Sequence, residues 1–375
     1  MSRKRPQDKK LIIVKSRKPL DKVLLILTLG LTLFGVLMVY DASIVEAYNL
    51  FNDKYYFLKQ QLIWFTLGFI SLIITSRLPL LWLKKIAPIA LLISIILLIL
   101  VLIPGIGSST YGARRWINLA GFTLQPTELV KLSLSLYLAT WLAKHRSFWH
   151  YLVLLGLILG LIMLQPDLGT SIVIIFTAVL TYYISGANAF HILSLSLVSG
   201  LSGLALILSS SYRKERLLTF LNPTRDPLGS SYHIRQALIA IGSGGLWGLG
   251  LGQSRQKYQF LPQVTTDSIF AIIAEEIGFF GSSLVIIALF FIVLRGFRIA
   301  RLAPDTFTKL LAASISSWIG IQATINLAAM LALAPLTGVP LPFISYGGSS
   351  LIVILTGVGL LLNISRYQVN PNKRR

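Results

Sequence analysis

The sequence predicts an all-α, polytopic membrane protein of about ten transmembrane helices, with one large extracytoplasmic loop before the eighth. Three observations predict this fold class. Hydrophobic residues make up 55% of the 375 residues and charged residues only 13%, a balance that excludes a soluble globular domain of this length. The hydrophobic residues are collected in runs long enough to cross a bilayer. The basic residues lie between these runs and favour one side of the membrane.

The predicted spans are each about 17 to 25 residues long, and somewhat shorter where a re-entrant segment is feasible. They cover residues 21–40, 58–76, 83–103, 125–143, 150–165, 168–185, 189–209, 268–294, 307–333 and 346–365. Residues 23–366 are predicted to form one membrane domain. Residues 1–22 precede it and residues 367–375 follow it in the sequence as polar tails. We expect the first span to be retained, because no small-residue cleavage site follows it.

The basic residues predict the orientation of the chain. Of the 34 Lys and Arg residues, 22 fall in the tails and loops on the side of the N-terminus, together with only 3 of the 13 acidic residues. The side with more Lys and Arg faces the cytoplasm. We therefore expect a multi-pass protein of the bacterial inner membrane with both termini in the cytoplasm.

Composition also excludes several classes of function and binding site. The formal net charge is +21, but nucleic-acid binding needs positive charge gathered on one folded face, and here it is spread between apolar runs. The chain has no cysteine, which excludes a disulfide framework and a thiolate metal site. Its four histidines show no ligand spacing, so we expect no structural metal.

One connection is much longer than the others, the loop 210–267 between the seventh and eighth spans. It lies on the outer side and carries seven Lys and Arg residues against the general bias, and long loops of this kind often carry function. Residues 232–241 have helical apolar spacing, which predicts an amphipathic helix at the membrane interface. The glycine-rich stretch 242–252 permits close backbone packing, and without a preceding strand it does not indicate a nucleotide-binding loop.

Inserting a charged residue within or at the end of a span costs about 2.5 to 3.5 kcal/mol on insertion scales. Such a residue is therefore expected to be paired with another polar group or to have a function. Glu128 and Lys131 lie three residues apart on one face of the fourth span. We predict a structural ion pair in preference to direct substrate contact. Upstream, Arg114 and Arg115 lie in an outer loop, where paired guanidinium groups can bind a diphosphate or anchor the loop to lipid headgroups.

Further acidic residues mark the ends of other spans. Asp167 is predicted to cap the sixth helix, or to face the site as a second carboxylate. Asp267 stands where the long loop enters the eighth span, among apolar neighbours that can raise its pKa toward that of a general base; a helix cap is the alternative. Glu275 lies about 12 Å deeper on that span, and we expect it and Glu276 to serve helix packing.

The entry to the tenth span, residues 340–350, combines two prolines, a glycine pair and several hydroxyl groups. Irregular backbone at membrane depth is tolerated only where it is buried or lines a cavity. We therefore predict that this segment borders the same outer chamber as Asp267.

Several of these segments, in this order, resemble the SEDS family of bacterial cell-wall glycosyltransferases, whose best-known members are FtsW and RodA. They are Tyr111-Gly-Ala-Arg-Arg-Trp-Ile, Gln125-Pro-Thr-Glu, Gln165-Pro-Asp-Leu-Gly-Thr, Asp226-Pro-Leu-Gly-Ser-Ser-Tyr-His, Gly250-Leu-Gly-Gln-Ser-Arg-Gln-Lys, Leu261-Pro with Thr266-Asp267, Ala274-Glu-Glu-Ile-Gly and Ile344-Ser-Tyr-Gly-Gly-Ser-Ser. The resemblance runs over nearly the whole chain, and the segments at Gly250 and Tyr40 are more similar to FtsW. Two positions depart from the family pattern: Gln263 replaces an acid, and Ser268 replaces a common Phe.

The resemblance implies a peptidoglycan glycosyltransferase that polymerises lipid II, an undecaprenyl-diphosphate disaccharide pentapeptide, into β-1,4 glycan strands and releases undecaprenyl diphosphate. It implies that Asp267 is the catalytic base and that Arg114 or Arg115 stabilises the leaving group, with a divalent cation (Mg²⁺ or Mn²⁺) as a candidate cofactor. The predicted substrate-binding residues are Arg114, Arg115, Gln165, Asp167, Thr170, Ser345 and Tyr346, and the predicted supporting residues are Glu128, Lys131 and Glu275.

The resemblance also implies partners. These are a class B penicillin-binding transpeptidase, other division or elongation membrane proteins and membrane lipid, but no nucleic acid, and the FtsW-like segments favour a role in cell division. Two other functions stay open, a lipid II flippase and a scaffold that only recruits the transpeptidase. The absence of a sequence repeat and the gathering of polar groups at the outer end favour an enzyme over a transporter.

Overall fold

A computed structural model describes residues 19–110, 113–119, 122–144, 147–222, 226, 229 and 231–368. Over these residues it contains twelve helices and a small three-stranded sheet. The helices are α1 (Lys22–Phe51), α2 (Tyr56–Thr75), α3 (Leu80–Leu100), α4 (Pro126–Leu142), α5 (Phe148–Met163), α6 (Leu168–Ile184), α7 (Ala189–Leu208), α8 (Ser211–Leu221), α9 (Tyr232–Ser243), α10 (Ile269–Arg301), α11 (Thr306–Met330) and α12 (Gly348–Ser365). The strands are β1 (Gly107–Thr110), β2 (Ala113–Leu119) and β3 (Phe122–Leu124).

Ten of these helices lie at the ten predicted spans, and the predicted polytopic membrane fold is confirmed. In the described part of the chain, α1, α2, α3, α10, α11 and α12 are long and apolar enough to cross a bilayer. Helices α5 and α6 are apolar but shorter, as is the apolar stretch Ala189–Ala205 of α7. The apolar runs form helices because a bilayer offers no water to satisfy the backbone, and a helix satisfies it internally.

Two features differ from the sequence prediction. The predicted first span ends at residue 40, whereas α1 continues to Phe51, and Asp41 on this extension pairs with Lys257 across the fold. The connection between α3 and α4 forms an antiparallel sheet in the order β1-β2-β3. Its strands are too short for their alternation to be recognised in the sequence. Ser349 of α12 holds this region, accepting a hydrogen bond from the Gln125 amide at 3.0 Å.

The centre of the bundle is formed by α11 and α12, most of whose residues are buried. Helix α12 packs on α2, and α11 packs on α4, α6 and α10. The α2–α12 crossing needs glycine at position 359, because a Cβ there would lie 2.1 Å from Thr75 Oγ1 and 2.6 Å from the Leu72 carbonyl oxygen. Small residues allow such close approach between membrane helices. The connecting loops are therefore supported by a tightly packed helical frame.

The long loop 210–267 is ordered by packing against this frame. The helix predicted over residues 232–241 is present as α9 and packs on α10 and α11, and its position at the membrane interface stays a prediction. Helix α8 is an additional, unpredicted helix. Helix α10 is broken at Gly278, which has a φ of 67° that glycine adopts readily. The glycine-rich stretch runs along this break, and a Cβ on Gly248 would lie 2.1 Å from the Glu276 carbonyl oxygen. The predicted close backbone packing is therefore present.

Candidate active site

Asp267 lies in the turn before α10, and its side chain is almost completely buried, with the residue 4% exposed. The helix cap is Ser268, so Asp267 does not cap α10, and the capping alternative is not what the structure shows. The Asp267 carboxylate accepts a hydrogen bond from Thr266 Oγ1 at 3.2 Å. The Gln263 side-chain amide faces the two carboxylate oxygens at 2.6 and 3.2 Å, and only an orientation with its nitrogen toward them pairs a donor with acceptors.

The backbone around Asp267 is held from two sides. Asn326 of α11 donates from Nδ2 to the Asp267 carbonyl oxygen at 2.8 Å. From the entry to α12, Ser345 Oγ donates to the Thr266 carbonyl oxygen at 2.5 Å, and the Tyr346 amide donates to the Thr265 carbonyl oxygen at 2.8 Å. The structure thus places Ser345 and Tyr346 beside Asp267, where their observed contacts hold the turn; their contact with substrate stays a prediction.

The Asp267 carboxylate borders a position that has no side chain. Gly338 lies in the connection between α11 and α12, and a Cβ built there would lie 4.0 Å from Asp267 Oδ2. Apart from Gly338 and its two chain neighbours, no other described atom comes within 4 Å of that Cβ position. The glycine therefore leaves space beside the buried carboxylate.

His233 and Arg216 form the electrostatic surroundings of Asp267, and the sequence analysis assigns neither of them to the site. His233 Nε2 lies 2.6 Å from Ser268 Oγ. Burial lowers the pKa of His233, although the nearby Asp267 charge acts to raise it. Burial raises the pKa of Asp267, while the positive charges of His233 and Arg216 act to lower it. The two shifts together favour a neutral imidazole beside a weakly acidic carboxyl group.

Two cavities meet at Arg216. The larger has a volume of about 370 Å³ and is lined by residues of α8 and α9, including Glu215, Arg216 and His233. The smaller has a volume of about 190 Å³, and its lining includes four charged residues of β2, α8 and the start of α6: Arg115, Asp167, Arg213 and Arg216. Arg216 Nη1 donates to the Leu336 carbonyl oxygen at 2.9 Å, which places its guanidinium group in the wall between them.

Arg114 and Arg115 do not converge on one ligand. They are adjacent on β2, and successive side chains of a strand point to opposite faces. The Arg114 side chain is exposed, whereas Arg115 lines the smaller cavity. Arg115 Nε donates to the Gln165 carbonyl oxygen at 3.0 Å, and its Nη2 donates to the Pro166 carbonyl oxygen. Paired binding of a diphosphate by these two arginines is therefore not what the geometry favours, because only Arg115 reaches a cavity.

The three predicted residues around the start of α6 have structural contacts. Asp167 is the N-cap of α6, accepting from the Thr170 amide at 3.0 Å and from Thr170 Oγ1 at 2.8 Å. Gln165 is fully buried, and its Nε2 donates to the Leu98 carbonyl oxygen at 3.2 Å. The predicted cap at Asp167 is present, and of these three residues only Asp167 lines a cavity.

The predicted ion pair on α4 is present. Lys131 Nζ lies 2.7 Å from Glu128 Oε1, and both side chains are buried. Lys131 also donates to Gln322 Oε1 on α11 at 2.8 Å, and that oxygen accepts from Trp318 Nε1 at 2.8 Å. Gln322 in turn donates to the Pro340 carbonyl oxygen at 3.0 Å. The pair therefore connects α4 to α11 and to the segment entering α12.

The two glutamates of α10 bind the long loop, and Lys257 of the loop joins Glu276 to α1. Glu275 accepts a hydrogen bond from Ser254 Oγ at 2.5 Å. Glu276 lies 3.2 Å from Lys257 Nζ, which also lies 2.9 Å from Asp41 on α1. The predicted packing role is thus extended: these buried groups join α1, the loop and α10. The structure does not bring Glu275 to the Asp267 carboxylate.

The described side chains do not form a metal-binding cluster. Within the described ranges, no three His, Asp or Glu side chains come close enough together to hold a metal ion by themselves. A divalent cation would need further ligands from the substrate, and it stays a prediction.

Basic residues in the long loop 210–267 are the sequence signal for the part of the site that was not predicted. Arg213 and Arg216 belong to the seven Lys and Arg residues that depart from the charge bias of the chain. They are three residues apart, a spacing that places both on one face of a helix. Their partners in the site lie far away along the chain, so the sequence alone does not connect them to Arg115 or Asp267.

Comparison with known proteins identifies relatives over nearly the whole chain. Residues 21–370 match the FtsW/RodA/SpoVE family of cell cycle proteins. The chain is 43% identical over 356 residues to stage V sporulation protein E of Bacillus subtilis, with 92% of this chain and 97% of that protein covered. It is 41% identical over 365 residues to the probable peptidoglycan glycosyltransferase FtsW of Escherichia coli O6:H1, with 94% and 87% covered.

Two solved structures share the fold. One is a chain of a peptidoglycan synthase complex that coordinates polymerization and crosslinking, with a TM-score of 0.74, 29% identity and coverage of 93% of this chain and 99% of that chain. The other is the rod shape determining protein RodA of Thermus thermophilus, with a TM-score of 0.69, 28% identity and coverage of 93% and 98%. Sequence and fold agree over nearly all of their length. The chain therefore belongs to the FtsW/RodA/SpoVE family.

Proposed function

We propose that this protein polymerises lipid II into β-1,4 glycan strands at the outer face of the bacterial inner membrane. Several relatives are named probable peptidoglycan glycosyltransferases, which supports glycosyl transfer as the reaction. The observation in this chain that carries the proposal is the buried Asp267 carboxylate, which lies in a turn held by α11 and by the segment entering α12 and borders Gly338, a position without a side chain.

In the proposed step, the 4-hydroxyl oxygen of the acceptor sugar attacks the anomeric carbon of the donor. A new carbon–oxygen bond forms there while the bond from that carbon to the diphosphate oxygen breaks. The hydroxyl proton passes to an oxygen of Asp267, which acts as general base. The bonding electron pair leaves with undecaprenyl diphosphate, so that atoms and charge balance without another reactant.

The surroundings of Asp267 suit this role. Contacts from Asn326, Ser345 and Tyr346 fix the turn, so the carboxylate is pre-organised for the incoming hydroxyl group. An imidazolium beside it would stabilise the carboxylate and weaken it as a base. Burial lowers the pKa of His233 and so favours the neutral form, which leaves the basicity of Asp267 intact.

We expect purified protein to polymerise labelled lipid II, with a rate that rises with pH through the pKa of Asp267 and then levels off. Below that pKa the carboxyl group is protonated and cannot accept the hydroxyl proton. Because burial raises the pKa above its ordinary value of 3.8, the rising limb should lie at higher pH than for an exposed Asp. Initial rates across a pH series, measured with and without a cognate transpeptidase, check this.

Two results would contradict this prediction. A rate that stays constant down to about pH 4, the ordinary range of an Asp carboxyl group, would remove Asp267 as the titrating base. A complete absence of glycan polymer under all conditions, with movement of lipid II between leaflets, would favour the flippase. The folded fraction at each pH, followed by thermal unfolding, separates loss of chemistry from loss of structure.

We propose that both termini are cytoplasmic and that the loop 210–267 is extracytoplasmic, as the charge distribution predicts. The partner proposed for this arrangement is a class B penicillin-binding transpeptidase that crosslinks the product outside the membrane. A similar solved chain belongs to a complex that coordinates polymerization and crosslinking, which supports such a partner. The FtsW-like segments favour action in cell division together with other division proteins.

The orientation can be tested by cysteine labelling, since the chain has no cysteine of its own. Ser211 at the start of α8 and Arg77 after α2 are both exposed and lie at opposite membrane sides in the proposed topology. Ser211→Cys should react with an impermeant maleimide in intact cells, whereas Arg77→Cys should react only after permeabilisation. The reverse pattern would invert the topology and place Asp267 on the wrong side for lipid-linked substrate outside the cell.

A further inference from the structure

The smaller of the two cavities has the chemistry of an anion site. Three arginines, Arg115, Arg213 and Arg216, line it together with one carboxylate, Asp167. Counting three positive charges against one negative charge leaves a net charge of +2. Asp167 accepts two hydrogen bonds from Thr170 as the cap of α6, and its single negative charge offsets only one of the three guanidinium charges. We name this space the arginine cavity.

Two polar groups in the wall of the arginine cavity lack partners. Arg213 Nε and Thr337 Oγ1 are buried, and neither has a hydrogen-bond partner among the described residues. Both can donate a hydrogen bond. A buried donor without an acceptor costs about 1–3 kcal/mol, so these two groups indicate an acceptor that the protein does not itself provide.

The size and remaining wall of the cavity restrict the ligand. A volume of about 190 Å³ is below the ~300–1,000 Å³ of sites for drug-sized ligands, so a compact group fits better than a disaccharide. The rest of the wall is largely apolar, with residues such as Ile172, Ile207 and Ile325 from α6, α7 and α11. An apolar wall strengthens the attraction between the arginines and an anion, and it suits a ligand that continues into a hydrocarbon chain.

We propose that the arginine cavity binds the diphosphate of the polyprenyl-linked donor and holds it as the leaving group. This inference rests on the proposed glycosyl transfer, and it replaces Arg114 by Arg213 and Arg216 as partners of Arg115. Guanidinium groups bind phosphate oxygens in bidentate fashion. Charge that develops on the diphosphate as the glycosidic bond breaks is stabilised by such pre-organised donors.

Arg216 connects this site to the base. It lines both the arginine cavity and the larger cavity that contains His233, and its charge acts on Asp267. A donor with its diphosphate in the arginine cavity would therefore bind beside the guanidinium group of Arg216, which also lines the cavity of His233. Arg216 is thus the residue shared by the proposed leaving-group site and the surroundings of the general base.

Binding of farnesyl diphosphate to the purified full-length protein tests the site without requiring turnover. Wild type should bind farnesyl diphosphate at least about tenfold more tightly than farnesyl monophosphate, and phosphatidylglycerol in excess should not displace it. Arg213→Gln and Arg216→Gln should each lose about tenfold or more in affinity for the diphosphate. Thr337→Val should lose less affinity for the diphosphate, since it removes one neutral hydrogen-bond donor. Lys214→Gln is the matched control, because Lys214 is an exposed residue of the same helix.

The outcomes are distinct. Equal affinity of wild type and Arg213→Gln for farnesyl diphosphate would overturn the proposed diphosphate site. A loss of affinity in Lys214→Gln as large as in Arg213→Gln would also overturn it. Displacement by phosphatidylglycerol would assign the cavity to a lipid headgroup and also overturn it. Arg216 holds the Leu336 carbonyl oxygen, so if Arg216→Gln unfolds, Arg213→Gln and Thr337→Val decide. Diphosphate binding without any polymerisation by wild type would reject the proposed function and leave the site standing.

Discussion

Asp267→Asn should leave a folded, membrane-inserted protein that polymerises lipid II about 10² to 10⁴ times more slowly than wild type. Asn has the shape of Asp but cannot accept a proton at neutral pH. The contact from Asn326 is made to the backbone of residue 267, so it survives the substitution. Initial rates of polymerisation by purified protein, with thermal unfolding as the measure of folding, check this expectation.

Asp53→Asn is the control, because Asp53 is an exposed carboxylate paired with Lys59 at the protein surface. It should polymerise at the wild-type rate. If Asp267→Asn also did so, the general base would lie elsewhere. The structure makes the nearest alternatives less suitable, because Asp167 caps α6 and Glu275 accepts hydrogen bonds from the loop. Helix capping by Asp267 cannot account for a loss of rate, since Ser268 is the cap position.

Glu128→Ala and Lys131→Ala should each destabilise the protein by about 3–5 kcal/mol, the usual cost of leaving one member of a buried ion pair uncompensated. Lys131→Ala also removes the charged donor to Gln322, which joins α4 to α11. Folded yield and the midpoint of thermal unfolding in detergent measure the effect. Lys59→Ala removes an exposed pair of the same N–O distance, 2.7 Å, and should leave the yield unchanged.

Exchanging the two residues, Glu128→Lys with Lys131→Glu, should restore part of the lost stability. The restoration is incomplete because a carboxylate at position 131 would meet Gln322 Oε1, an acceptor. Turning that amide to present its nitrogen would remove its hydrogen bond to the Pro340 carbonyl oxygen. Normal yield with lost polymerisation in both single variants would assign the pair to the site and contradict a structural role.

Local patterns in the sequence were sufficient to locate the membrane helices and to predict the contacts of several side chains. The cost of exposing backbone polar groups to lipid makes long apolar runs helical, so the ten spans could be located from hydropathy. Glu128 and Lys131 pair because residues three apart face each other on a helix. Asp167 caps α6 through contacts within three residues. Asp267 could be singled out because a carboxylate is costly in an apolar frame.

Contacts between distant segments were decided only by the tertiary structure. Arg115 and Arg216 line one cavity, Asn326 and Ser345 hold the turn at Asp267, and Lys257 pairs with Asp41. These partners come from elements far apart along the chain. Helical periodicity determines which face a residue occupies but not which other helix covers that face. The choice of neighbour depends on how the helices pack, which here requires close contacts such as the one between Gly359 and Thr75.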